Sequence, residues 1–123
     1  MVILDRRQVE VTPAVSNASA GAVEHLRVCL ANNLSRAIDE LKETGMWVYA
    51  LQAERGAQTY TQADFRGALG LVVGSEGRGV GRLVRERCDG ALAIPMRGKI
   101  ESLNAAVAGS VVLYEALRQR TGR

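Results

Sequence analysis

The 123-residue sequence has one histidine, two cysteines and no apolar run of 18 residues. Each scarcity removes a class of function. Without such a run there is no membrane-spanning helix. The first residues, Met1-Val2-Ile3-Leu4-Asp5-Arg6-Arg7, lack the charged head and apolar core of a secretory signal. The lone His25 cannot build a His-rich metal site or the usual Ser-His pairing, and reads as structural or solvent-facing. Cys29 and Cys88 fall in separate periodic segments. They read as two buried thiols in a reducing compartment rather than a disulfide, which fits the cytoplasm.

What is present is globular. The length sets one domain, residues 1–123, large enough to bury its own core. The composition, 47% hydrophobic and 24% charged, is that of an ordinary folded chain. The net charge of +3 is unevenly placed. Residues 1–68 carry 7 basic and 8 acidic side chains, a balance of −1, and residues 69–123 carry 9 and 5, a balance of +4. A positive excess in the second half suits a polyanionic substrate near a site there, although so small an excess also describes a solvated surface.

Apolar periodicity alternates between strand and helix. Residues 1–4, 25–31, 46–51, 69–73 and 90–94 read as strands. Thr12-Pro13 can open a short helix running to about residue 18. Asn33 caps a helix with Leu34, Ala37, Ile38 and Leu41 on one face, and Gly45 ends it. Residues 52–68 are polar and irregular, with one possible helical turn at 62–65. A helix covers residues 79–87. The pattern predicts an α/β domain with a mostly parallel sheet of about five strands and helices on both faces.

Two stretches carry candidate chemistry. Residues 71–80, Leu-Val-Val-Gly-Ser-Glu-Gly-Arg-Gly-Val, form a β-branched strand running into a glycine-rich loop and a helix. The loop is neither a Walker A motif nor a G-x-G-x-x-G fingerprint. Its glycines serve either a tight turn or the close approach of a ligand. Residues 94–113 follow the last strand. Pro95 ends that strand, Gly98 permits a turn, and a helix starts near Ser102, a plausible N-cap. Leu103, Val107, Val111 and Tyr114 share one face, and Ala105, Ala106, Ala108, Val112 and Leu113 make the other faces apolar. A helix apolar nearly all round is expected to be buried. Ser102 and Asn104 open it with small polar groups, which could be helix caps or chemistry at a loop mouth.

Together the two stretches resemble the second and third motifs of the SpoU-type RNA 2′-O-ribose methyltransferases. The likeness is nearest to the enzymes that methylate a guanosine ribose in large-subunit ribosomal RNA. It extends from about Val2 to Arg120. The resemblance implies a C-terminal trefoil knot, with the last helix threaded through a loop of the preceding strands (the SPOUT-like fold). It implies S-adenosyl-L-methionine as cofactor, held by Leu51, Gly74, Ile94, Met96 and Leu103, of which Ile94 and Leu103 also suit plain core packing. It assigns catalytic places to Glu76, Ser102 and Asn104, where the bland alternatives are an acid near a helix N-terminus and two capping residues. A ribose 2′-hydroxyl is a poor nucleophile, so it must be aligned with the methyl and relieved of its proton. No metal is needed for that. RNA, ribosomal in this likeness, is the implied partner, and a homodimer the implied assembly, with no membrane.

The likeness breaks at one place. Family domains begin with a further strand and helix carrying a first motif, whose arginine is thought to activate the hydroxyl. No residue of this chain matches it; Asn32 and Asn33 precede a later helix, and Arg78, Arg82 and Arg97 stand elsewhere. The chain resembles an N-terminally truncated catalytic domain. Two expectations follow: a methyltransferase impaired by loss of that arginine, or a non-catalytic remnant that dimerises or binds RNA or cofactor.

Overall fold

Val48 and Ala50 are buried on one face of a central strand whose Tyr49 and Leu51 point to the other, the period-2 alternation of a strand covered on both sides. This strand lies in a computed structural model that describes residues 2–4, 29–74, 79–96 and 104–122. In chain order the described elements are β1 (Val2–Leu4), β2 (Cys29–Ala31), α1 (Leu34–Glu43), β3 (Trp47–Leu51), β4 (Gln58–Thr59), a 3-10 turn (Tyr60–Gln62), β5 (Leu69–Val73), α2 (Arg82–Arg87), β6 (Gly90–Ala93) and α3 (Ala105–Thr121). The helix expected after Pro13 lies outside the described residues, as does the first part of the strand expected over 25–31. No helix among the described residues is long and apolar enough to cross a membrane.

The chain divides into two units, Met1–Ala37 and Ile38–Arg123. In the first, β1 and β2 pair in parallel, Ile3 opposite Leu30. Asn33 then caps α1 as its residue type predicts, its Oδ1 accepting from the Arg36 N–H at 3.1 Å. The unit boundary falls within α1. That helix ends at Gly45, whose φ of +95° only glycine adopts without strain.

The second unit holds a four-stranded parallel sheet in the order β4-β6-β3-β5. The expected α/β class and parallel pairing are therefore present. The sheet has four strands rather than five: among the described residues β1 and β2 pair only with each other, and β4, not expected as a strand, joins β6. Parallel neighbours require crossovers. The chain from β5 to β6 passes β3 and carries α2 on the way. At the sheet end where β3 and β6 begin, Asp89 accepts from the Val48 N–H at 2.8 Å and pairs with Lys42 at 3.3 Å.

One core lies on the Tyr49 and Leu51 face. Ala63, Phe65, Leu92, Val112 and Ala116 are buried together there, with Leu71 and Ile94 packed against them. Phe65 meets the Tyr49 ring edge-on, with centroids 5.9 Å apart. The segment after β3 is more ordered than its sequence suggests. Gln58–Thr59 adds a strand to β6, and the helical turn comes at Tyr60–Gln62 rather than over 62–65. A two-residue strand has no periodicity to read.

The last helix departs from expectation. It starts at Ala105 with Asn104 as its cap, two residues later than Ser102. Its buried residues are Gly109, Val112, Glu115 and Ala116, a single stripe. Val107, Leu113, Tyr114 and Leu117 are exposed, Tyr114 by 75%. The sheet covers one side of the helix, and its other apolar side lines an open hollow with Tyr60, Val107, Val111 and Tyr114. Apolarity all round therefore does not mean burial within this chain. The threading implied by the resemblance depends on residues 97–103, which lie outside the described residues.

Candidate active site at the strand ends

Because the four strands run the same way, β3, β5 and β6 all finish at one edge of the sheet. Leu51 lies opposite Val73 on one side and Leu92 on the other. Gly74 therefore comes one residue past the position opposite Leu51, while Ile94 and Met96 follow the end of the next strand. Four of the five predicted cofactor residues lie at or just past the strand ends along this edge, where ligands of open parallel sheets bind. All four are partly exposed. Leu51 and Ile94 also pack on the Phe65 core, so the packing role weighed for Ile94 is real. Leu103, Glu76 and Ser102 lie outside the described residues.

Gly74 has a reason to be glycine that needs no ligand. A Cβ at this position would collide with the backbone carbonyl of Gly79 and the nitrogen of Val80. The chain thus leaves the strand at Gly74 and returns against the same residue five positions later. The consequence is practical: Gly74→Val breaks this closure and cannot serve as a clean test of ligand approach.

Asn104 is exposed, and its Oδ1 accepts from the Ala106 N–H at 2.9 Å and the Val107 N–H at 3.4 Å. The capping alternative is what the geometry contains. It fixes the carboxamide at the mouth of α3.

Sequence patterns miss three polar residues beside this edge. Gln52, the residue after β3, accepts from the Val80 N–H through Oε1 at 3.0 Å. Its Nε2 donates to Glu54 Oε1 at 3.1 Å. Arg85 of α2 grips Glu54 with both prongs, at 2.7 and 3.0 Å. The bidentate arginine holds the Glu54 carboxyl below its ordinary range. The only signal in the sequence is a Gln-x-Glu pair just after the Trp47–Leu51 strand, with the arginine over thirty residues away.

The SpoU rRNA Methylase family model matches residues 1–114. The chain belongs to this family. It is 46% identical over 122 residues to the 23S rRNA (guanosine-2′-O-)-methyltransferase RlmB of Xanthomonas campestris pv. campestris, covering 99% of this chain and 49% of that protein. The chain spans about half the length of the curated SpoU relatives it matches. Among solved structures it is similar to the A. aeolicus TrmH/SpoU tRNA modifying enzyme, with a TM-score of 0.86, 25% identity, and coverage of 99% of this chain and 62% of that one. It is also similar to the SpoU methyltransferase AviRb from Streptomyces viridochromogenes in complex with the cofactor AdoMet, with a TM-score of 0.87, 25% identity, and coverage of 99% and 50%. The family expected from residues 71–80 and 94–113 is therefore the family found.

Proposed function

We propose that this chain forms the cofactor-binding part of an S-adenosylmethionine-dependent RNA 2′-O-ribose methyltransferase with a ribosomal RNA substrate, working as a cytoplasmic homodimer with a C-terminal trefoil knot. The supporting observation is the placement of Leu51, Gly74, Ile94 and Met96 at or just past the carboxyl ends of three adjacent parallel strands, in a family with a member solved bound to AdoMet. Partly exposed apolar side chains suit the faces of an adenine, and strand-end main-chain groups suit its edge. The described residues fit that group.

Bound there, S-adenosylmethionine supplies a methyl carbon made electrophilic by its sulfonium. The chain's own task is to bring the ribose hydroxyl into line with that carbon, and alignment can be worth many powers of ten in rate. Ser102 and Asn104, with Glu76, are the residues we assign to holding the ribose. The ribose hydroxyl would also have to be relieved of its proton. The family assigns hydroxyl activation to a first-motif arginine that none of these 123 residues matches, so turnover by this chain alone is expected to be low.

The homodimer accounts for the exposed side of α3, where Val107, Leu113, Tyr114 and Leu117 gather. Contiguous apolar surface of this kind marks interaction sites. Two measurements test the proposal. Calorimetric titration should show S-adenosylmethionine binding to the chain, followed by methyl transfer to unmodified ribosomal RNA when the arginine is supplied. Absence of binding rejects the site. Sedimentation at micromolar concentration should show a dimer, and a monomer rejects the assembly.

A further inference from the structure

Val80 is buried, and a side chain rather than a strand ladder accepts from its N–H. An unmet buried N–H is costly, so its acceptor matters. That acceptor is Gln52, whose carboxamide is held in one orientation by Glu54, itself clamped by Arg85. The Val80 nitrogen and the Gly79 carbonyl are in turn the atoms against which Gly74 packs. A continuous line of contacts thus runs from α2 through the residues after β3 to the point where the glycine loop returns.

We infer that Gln52 is a positioning residue for cofactor binding, and that the Glu54–Arg85 pair acts through it. The inference rests on the proposed cofactor site at the strand ends. Gln52 does not need to touch the cofactor. It fixes where Gly79 and Val80 lie, and so fixes the Gly74 backbone at the end of β5. The ion pair keeps the Gln52 oxygen turned toward Val80, because its nitrogen must face the carboxylate.

The test uses the full chain with S-adenosylmethionine as probe. Gln52→Leu keeps the bulk and removes both hydrogen bonds. Val80 amide exchange should quicken, and the dissociation constant should rise about tenfold, the worth of one well-placed hydrogen bond. The cofactor-free protein should melt lower, because the buried Val80 N–H loses its acceptor, so affinity is compared at a temperature where both proteins are fully folded. Glu54→Gln should give a smaller rise, and the double variant should bind no worse than Gln52→Leu, since both act on one line of contacts. If Gln52→Leu does not fold, the Val80 exchange and affinity of Glu54→Gln decide: faster exchange with weaker binding supports the inference, and unchanged affinity overturns it. Wild-type chain that binds while Gln52→Leu binds equally well overturns this inference alone. Additive losses in the double variant also overturn it. Wild-type chain that takes no S-adenosylmethionine overturns the site reading and this inference together.

Discussion

Gly74 packs against the backbone of Gly79, so tightly that not even a methyl group fits between them. This contact brings together the two ends of the glycine-rich stretch after β5. Gly74→Ala should therefore push Gly79 and Val80 off their positions. Overpacking of this kind costs about 1–3 kcal/mol. Thermal melts should show the loss of stability, and calorimetry should show weaker cofactor binding along with it. A variant as stable as the parent would mean that the loop gives way freely.

A second expectation concerns Phe65. It is 1% exposed and sits between Tyr49 and the buried stripe of α3. Phe65→Ala should destabilise the chain by about 3–5 kcal/mol, the cost of losing a buried aromatic side chain and leaving a cavity. Chemical denaturation should show a lower midpoint. A change under about 1 kcal/mol would mean that the core collapses around the gap, against the usual behaviour of close-packed interiors.

Much of the fold and of the site edge is legible in the amino-acid sequence. The alternation of β3, the Asn33 cap and the Gly45 stop are local signals, and local signals survive folding. The site edge follows from two strands ending in loops that carry motifs of one family. Three features are not legible. The strand at Gln58–Thr59 is too short to have a period. The exposure of α3 depends on what lies opposite it, which apolarity alone cannot say. The Gln52–Glu54–Arg85 clamp joins residues across two crossovers, and polar residues after a strand look like any loop. The start of α3 falls two residues later than expected because Ser102 and Asn104 are both good caps, and the geometry chooses Asn104.

Glu115 gives a pH expectation. This glutamate lies in the buried stripe of α3, gripped by Arg118 at 2.6 and 2.9 Å and by Gln119 at 2.9 Å. The Arg118 guanidinium, with Gln119 after it, holds its carboxyl down from 4.5 to about 2. A carboxyl lowered on folding adds stability above its unfolded value and loses it as pH falls through its folded value. Stability should thus decline between about pH 4.5 and 2. Glu115→Gln should flatten that decline. An equal decline in both proteins would assign it to other carboxylates, such as Asp64 beside Arg66, also held at about 2.

Asn104 separates capping from chemistry. Asn104→Ala removes the acceptor for the Ala106 and Val107 N–H groups, and should cost about 1 kcal/mol. Asn104→Asp keeps the acceptor, and its charge suits a helix N-terminus. Stability should return in full. If the side chain also donates to the ribose hydroxyl, Asn104→Asp will be stable yet slow in methyl transfer. Full activity in the aspartate variant would leave Asn104 as a cap alone.

The last expectation concerns turnover. Leu51, Gly74, Ile94 and Met96 lie at or just past the strand ends, so cofactor affinity should be near that of a family domain carrying the first motif. No residue of the chain matches the arginine that the family uses to activate the hydroxyl. A positioned acid–base group contributes on the order of a hundredfold to ten-thousandfold in rate. Its loss should lower turnover and leave cofactor affinity nearly unchanged, as for an interaction made mainly in the transition state. The comparison is between this chain and a fusion carrying a first-motif strand, helix and arginine of the family. The fusion should methylate ribosomal RNA faster by that factor, with a similar dissociation constant for S-adenosylmethionine. Equal rates would show that Arg78, Arg82 or Arg97 activates the hydroxyl, and single alanine substitutions at the three would then identify which.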